Sequence, residues 1–168
     1  MFGYVVADGP GRADRLLWDV GHAIRDIGLP LAGAVQENSE SGDTRRCDMD
    51  LHILAGHAVV RISQDLGKLS KGCRLDPEAL EEAVGLVATA LAARPALLIV
   101  NKFGKLELAG RGFRHVIADA LGMGVPVLTV VNSGNEDKFL SWTGDLAERL
   151  PPDQDALLDW VKTQLATH

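Results

Sequence analysis

Two lysines and a glutamate follow the end of a strongly apolar segment. Residues 96–100 read ALLIV, and Lys102, Lys105 and Glu107 come shortly afterwards, around Gly104. In an open α/β sheet, ligands bind beyond the carboxyl ends of the strands, so this is the expected position of a binding crevice. Glycine has no Cβ, which lets backbone N–H groups approach a ligand. The residue types and their position predict an anion site.

Further cations occur in the segment RISQDLGKLSKGCR, residues 61–74. Arg61, Lys71 and Arg74 supply positive charge there, and Ser70 supplies a hydroxyl group. Charge-assisted hydrogen bonds from such groups would hold molybdate, tungstate or a phosphate-bearing ligand. We therefore include these four residues in the predicted site.

Arginines also stand at the start of a predicted helix. Arg111 and Arg114 open the segment GRGFRHVIADALGMG, and a helix N-terminus favours anions. The charged residues also have structural interpretations, because lysines and arginines in loops are usually solvated. Glu107 can pair with a neighbouring cation such as Arg111, and Arg74 can pair with Asp76. Both interpretations stay open from the sequence.

A metal site is a second interpretation of the polar residues. Asp48, Asp50 and His52 alternate along one predicted strand, and His57 follows at the start of the next. Side chains that face each other across a hairpin can ligate a cation. Alternating polar residues are also typical of a half-exposed strand, and no CxxC or HExxH spacing occurs. We therefore expect no metal site among these residues.

The composition is that of a globular chain with an aliphatic core. Of 168 residues, 46% are hydrophobic and 5% aromatic, and the net charge of −6 argues against nucleic-acid binding. The N-terminus lacks the features of a signal peptide, and no apolar run reaches the roughly 20 residues that span a bilayer. Cys47 and Cys73 are expected to be free thiols. We expect a cytoplasmic protein that does not insert into a membrane.

Uniformly apolar strands alternate with helices along the chain, which predicts a mostly parallel sheet covered on both faces. Two alternating stretches in the middle predict an antiparallel hairpin added to that sheet. Asp76 and Pro77 provide the N-cap and first turn of one helix. The chain shows no repeats, so we expect a single domain over residues 1–168. The predicted elements are strands 1–8, 29–36, 47–54, 56–64, 95–100 and 125–131, helices 13–27, 77–94, 110–124 and 153–168, and polar loops 37–47 and 65–75.

The order of several segments resembles the small thermophile-type P-loop nucleoside-triphosphatases, which are related to the cancer-related nucleoside-triphosphatase. The segments are GPGRADRLL, LAGAVQ, LLIVNKFGKLEL, RGFRHVIADAL and VPVLTVV, and the resemblance covers most of residues 2–131. It implies a three-layer α/β fold of the P-loop-NTPase type. It also implies that Gly9, Gly11 and Arg12 lie in the counterpart of the phosphate-binding loop.

The residues that would carry out hydrolysis in that family are replaced here. A working P-loop needs a lysine for the β/γ-phosphates and a serine or threonine for magnesium. The resemblance aligns Asp14 and Arg15 with these two positions, and Asn101 and Lys102 with the family's acidic pair. The Walker motifs are therefore degenerate. We expect no ordinary magnesium-dependent hydrolysis, since a cation site has been exchanged for an anion site.

Four further segments are similar to an uncharacterised bacterial family that is known only as a domain of unknown function. They are RCDMDL, RISQDLG, SKGCRLD and NKFGKLE. Genes of that family often lie beside molybdate-transport genes. The resemblance therefore implies a role in molybdenum handling, whereas the residues themselves indicate only an anion.

The leading hypothesis is a non-hydrolytic anion-binding protein with no catalytic residues and no metal. Its ligand is unknown, molybdate or tungstate being the candidates, and its expected partners are molybdenum-transport or cofactor proteins and a second copy of the chain. One alternative is an active nucleoside-triphosphate phosphohydrolase in which Glu107 and Asp65 replace the lost carboxylates. Another is a ligand-free regulatory interaction module. The predicted ligand-binding residues are Lys102, Lys105, Arg74, Lys71, Ser70, Arg61, Asn101, Gly104, Glu107, Gly9, Gly11 and Arg12.

Overall fold

A computed structural model describes residues 1–9, 11–40, 47–64 and 74–167. The strands are β1 (Phe2–Val6), β2 (Leu31–Glu40), β3 (Cys47–Ile53), β4 (Val59–Arg61), β5 (Ser63–Gln64), β6 (Arg74–Leu75), β7 (Leu97–Val100), β8 (Val127–Val131) and β9 (Ala147–Leu150). The helices are α1 (Arg12–Asp26), α2 (Pro77–Leu91), α3 (Lys105–Leu108), α4 (Arg114–Gly122), α5 (Glu136–Thr143) and α6 (Gln154–Ala166). Among the described residues, no helix has the length and apolar character needed to cross a membrane.

The central sheet has seven strands in the order β4-β3-β2-β7-β8-β1-β9. β2, β7, β8, β1 and β9 are parallel, and β3 and β4 form the antiparallel addition at one side. The predicted mostly parallel sheet with a hairpin insertion is confirmed. β5 and β6 form a separate two-stranded sheet beside it.

Two apolar layers cover the sheet, one on each face. On one face, α2, α4 and α5 contribute buried residues such as Val87, Ile117 and Phe139. On the other face, α1 and α6 contribute Leu17 and Leu157, among others. Successive residues of β7 point alternately into these two layers, because side chains of a strand alternate between the faces of a sheet. The three-layer α/β fold is thus confirmed.

The cap predicted for α2 is present. Asp76 accepts hydrogen bonds through Oδ1 from the N–H groups of Glu78, at 3.0 Å, and Ala79, at 3.3 Å, and Pro77 occupies the first turn. These bonds satisfy N–H groups that have no partner within the helix, typically worth about 1 kcal/mol. The cap fixes the start of the helix that borders the candidate site.

Three predicted elements differ from the structure. The strand expected over 56–64 is divided into β4 and β5, which belong to different sheets. The segment 37–47 is predicted as a loop, but β2 continues to Glu40 and pairs with β3 over the whole of β3. The helix expected over 110–124 begins only at Arg114, and the short helix α3 precedes it.

Candidate functional site

The carboxyl ends of β1, β7 and β8 bring three connecting segments together at one edge of the sheet. Register pairs Val6 with Val131 and Val100 with Thr129, so the residues that follow each strand are neighbours. The cleft between them has two adjoining parts. The loop chamber has a volume of about 680 Å³ and lies beside the β1–α1 connection. The lysine chamber has a volume of about 280 Å³ and lies beside α3, and Gln36, Asn101, Lys102 and Asn132 line both.

Asp14 and Asn101 are bonded to each other at the centre of this cleft. Asn101, only 4% exposed, donates from Nδ2 to Asp14 Oδ1 at 2.8 Å, and its Oδ1 accepts from the Gln36 N–H at 3.1 Å. Asn38 donates to the other Asp14 oxygen at 2.7 Å and accepts from Gln36 Nε2 at 2.7 Å. The Asp14 carboxylate therefore has a side-chain amide donor on each oxygen.

Lys102 and Lys105 border the smaller chamber. Lys102 is exposed and lines both chambers, and Lys105, the first residue of α3, is exposed and lines the lysine chamber. The placement of both lysines at the end of β7 agrees with the position that the sequence predicts. Both residues border a cleft rather than a flat surface.

Glu107 holds the backbone of this region together. It is 5% exposed, and its two carboxylate oxygens accept from the Gly104 N–H at 2.9 Å and from the Phe113 N–H at 3.2 Å. The Gly104 N–H thus donates to Glu107, whereas the sequence predicts that it approaches a ligand. Instead of pairing with Lys105 or Arg111, the Glu107 carboxylate binds these two amides. The left-handed backbone of Gly110 and Gly112, with φ values of 82° and 60°, is the reason that α4 begins only at Arg114.

Arg114 also serves the structure rather than the cleft. Its guanidinium donates to the carbonyl oxygens of Glu107 and Leu108, at 3.2 and 3.4 Å, and lies over the Trp142 ring at 4.9 Å from the centroid. Trp142 in turn stacks on Phe103, with ring centroids 5.0 Å apart. Arg111 precedes α4 instead of starting it. The prediction that Arg111 and Arg114 form an anion site at the start of that helix is therefore wrong.

The connection after β1 forms part of the loop chamber. Gly9 and Gly11 line it, and Gly11 is the N-cap of α1 with a φ of 74°, a left-handed conformation that favours glycine. Arg12 is exposed and is not among the residues that line either chamber. Asp8 lines the loop chamber and accepts from the Ser133 N–H at 2.9 Å, which holds the pKa of that carboxyl below its usual value.

Two predicted cations lie elsewhere. Arg61 donates to both oxygens of Asp50, at 2.9 and 3.2 Å, and approaches Asp48 at 3.4 Å, so its charge is matched by two carboxylates outside the chamber walls. Arg74 is exposed on β6 and does not line either chamber, although its neighbour Leu75 lines the smaller one. The prediction that Arg61 and Arg74 lie in the cleft is therefore wrong. Asp65, Ser70, Lys71 and Cys73 lie outside the described residues.

The polar face of β3 has protein partners. His52 Nε2 lies 2.9 Å from Glu37 Oε2, and Asp48 and Asp50 lie against Arg61. In the part of the chain that the structure describes, no group of three acidic, histidine or cysteine residues is placed to hold a metal ion. Residues 37–40 of β2 read ENSE and are polar throughout, which explains why the sequence suggested a loop there.

Four residues with amide side chains that line the cleft were missed from the sequence. Gln36, Asn38, Asn132 and Asn135 each line at least one chamber. Asn132 follows the apolar segment VPVLTVV directly, as Asn101 follows ALLIV, and this shared position after a buried strand was the available signal. The Oδ1 atom of Asn132 is buried and has no hydrogen-bond partner in the described structure.

Comparison with known families identifies the family of this chain. A family model described as a protein of unknown function, DUF2478, matches residues 3–160. The chain belongs to the DUF2478 family. This agrees with the similarity to a domain of unknown function that the sequence indicated.

One curated relative of this DUF2478 chain is a molybdenum import ATP-binding protein, ModC 2, of Bradyrhizobium diazoefficiens. The two are 33% identical over 147 residues, which are 88% of this chain and 16% of the relative. The chain thus spans about a sixth of the length of that protein.

Two solved structures share the fold of this DUF2478 chain. The solution structure of a human cancer-related nucleoside triphosphatase has a TM-score of 0.66 and 15% identity, over 99% of this chain and 97% of that one. The crystal structure of THEP1 from the hyperthermophile Aquifex aeolicus also has a TM-score of 0.66 and 15% identity, over 98% and 99%. The P-loop-NTPase-type fold expected from the sequence is confirmed. At this identity the likeness concerns the fold alone.

Proposed function

We propose that this protein binds a small anion in the cleft without hydrolysing nucleoside triphosphates. The anion is an oxyanion of the molybdate or tungstate type, or the phosphate group of a larger ligand. Lys102 and Lys105 supply the charge. Asn101 orients the polar wall through Gln36 and Asp14, and the connection after β1 forms the opposite wall.

The hydrogen bond between Asp14 and Asn101 carries this proposal. By the P-loop resemblance, these positions correspond to the phosphate-binding lysine and to one of the magnesium-supporting acids. The aspartate here would repel phosphate, and the asparagine amide binds the aspartate at 2.8 Å instead of binding a metal-bound water. A site arranged in this way lacks the electrostatic stabilisation on which phosphoryl transfer depends.

The link to molybdenum is part of the same proposal. It is supported by the name of the curated relative, a molybdenum import ATP-binding protein. Because this chain corresponds to about 16% of that protein, we propose that it works alongside an ATPase as a molybdenum-sensing or cofactor-handling module.

Thermal unfolding tests the anion site. Molybdate, tungstate, sulfate and phosphate are titrated without magnesium, and ATP and GTP with and without it. A ligand at a hundredfold excess over its Kd stabilises the native state by about 2.7 kcal/mol. Lys102→Ala should abolish the shift. Lys162→Ala, which removes an exposed lysine paired with Asp159 on α6, is the matched control and should retain it.

Two results would contradict the proposal. Stabilisation that appears only with a nucleotide and magnesium, together with phosphate release, would favour an active phosphohydrolase. That alternative is consistent with the fold shared with nucleoside triphosphatases, but it requires carboxylates, and Glu107 already binds two backbone amides. Stabilisation by no anion at all would favour a ligand-free interaction module.

A further inference from the structure

The two chambers differ in charge and polarity. Among the described residues, the loop chamber contains the carboxylates of Asp8 and Asp14 beside a single lysine, Lys102. The described lining of the lysine chamber contains Lys102, Lys105 and one carboxylate, Glu107, which accepts from two backbone amides. Coulomb attraction therefore directs an anion to the lysine side of the cleft.

The walls of the lysine chamber are mainly apolar. Ile62, Leu80 and Phe113 are 3–6% exposed and form its interior, whereas Leu75, 37% exposed, lies at its edge, and Leu106 completes the apolar lining. Apolar walls do not stabilise a bare oxyanion, because an oxyanion that leaves water needs hydrogen-bond donors or cations as new partners. Apolar walls stabilise a ligand that carries apolar surface.

Asn132 brings an unpaired hydrogen-bond acceptor to this part of the cleft. This residue lines both chambers, and its buried Oδ1 has no hydrogen-bond partner in the described structure. An amide oxygen only accepts hydrogen bonds, and a buried acceptor without a partner is unfavourable. A ligand N–H or O–H group would pair with this oxygen once the Asn132 side chain turns it toward the chamber.

We propose that the lysine chamber binds a ring-containing phosphate-type anion. The charged group lies at Lys102 and Lys105, the ring packs against Ile62, Leu80 and Phe113, and a donor on the ring reaches Asn132. A volume of about 280 Å³ is at the small end of ligand pockets, which suits one or two rings. This inference rests on the proposed anion site and names the class of molecule that occupies it.

Calorimetric titration with three probes tests the inference in magnesium-free buffer. Inorganic phosphate reports the charge site alone, phenyl phosphate adds an apolar ring, and 4-aminophenyl phosphate adds an N–H donor. Phenyl phosphate should bind at least about tenfold more tightly than phosphate, because binding removes the apolar ring from water. The amino group should add a further gain that is lost in Asn132→Leu.

Leu75→Trp provides a steric test at the edge of the chamber. Leu75 is partly exposed, so the larger side chain can enter the chamber without disrupting the core. Phenyl phosphate should then bind no better than phosphate, while phosphate binding stays unchanged. Leu146→Trp is the control, because Leu146 is 66% exposed and does not line either chamber. It should leave the affinity for all three probes unchanged.

The outcomes separate the two proposals. Phosphate binding that depends on Lys102, with no advantage for phenyl phosphate, would overturn the ring-binding inference and leave the anion site intact. An advantage for phenyl phosphate that survives Leu75→Trp would also overturn it, because the ring would then bind elsewhere. Failure of all three probes to bind would overturn the ring-binding inference, and failure of molybdate and tungstate as well would overturn the anion site.

Discussion

Asp14 and Asn101 illustrate what single residues decide in this fold. The sequence predicts that neither residue suits magnesium-dependent hydrolysis, and it presents Asp14 only as a repulsive charge. In the structure, Asp14 accepts from Asn101 at 2.8 Å and from Asn38 at 2.7 Å. The Asp14 carboxylate thus has two amide partners within the protein.

Asn101→Asp should lower the free energy of unfolding by about 2–4 kcal/mol at pH 7, because it places a buried carboxylate against Asp14. Asn38→Asp is the matched control, since it meets the same carboxylate at an exposed position and should cost less than about 1 kcal/mol. Urea unfolding measures both. The loss in Asn101→Asp should shrink at pH 4, where a protonated carboxyl can donate. Equal losses in both variants would contradict a buried polar pair.

His22 should make stability depend on pH. Arg25 donates to its Nδ1 at 2.9 Å, so Nε2 carries the proton of the neutral ring, and burial together with the Arg25 charge lowers the pKa of His22 below 6.5. Below pH 6.5 the unfolded chain therefore binds a proton more readily than the native chain. The free energy of unfolding should fall as pH drops through 6.5 and level off below the native pKa.

Urea unfolding between pH 5 and 7.5 measures this effect of His22. The slope should flatten in His22→Leu but not in His115→Leu, because His115 is exposed on α4. An unchanged slope in His22→Leu would assign the pH dependence to another group.

At the scale of elements, the connection between α3 and α4 depends on two glycines and one carboxylate. Gly110 and Gly112 have φ values of 82° and 60°, and Glu107 accepts from the N–H that follows Gly112. The predicted helix 110–124 included both glycines because apolar periodicity does not reveal positive φ. Likewise, the sequence predicts that β2 ends at Gln36. The polar residues that follow are typical of a loop, and the sequence does not show that their backbone pairs with another strand.

Gly112→Ala should destabilise the protein more than Gly110→Ala. A Cβ at Gly112 would overlap Glu107 Oε1, whereas the position of a Cβ at Gly110 is open. Gly110→Ala should cost about 1–2 kcal/mol from its left-handed backbone alone. Gly112→Ala should cost about 1–3 kcal/mol more, from overlap with a buried group. Urea unfolding compares them, and equal losses would show that Glu107 is not fixed in place.

At the scale of the whole molecule, the sequence predicted the layers better than the site. Fully apolar strands such as LLIV identify a sheet buried on both faces, and that architecture is present. Lys102, Lys105 and Asn101 lie in the cleft because they follow such a strand. Arg61 does not, because it lies opposite Asp50 in the β3–β4 register, and the sequence alone does not show which residues pair across strands.

The most direct test of the account is to locate anion binding on the whole chain. Two-dimensional ¹H–¹⁵N spectra are recorded as molybdate or phosphate is added in the presence of EDTA. We expect the largest saturable shifts at the backbone amides of Lys102, Gly104 and Lys105, with smaller shifts at Gly9 and Gly11. The absence of saturable shifts at these amides, or their appearance only with ATP and magnesium, would contradict a non-hydrolytic anion site in this cleft.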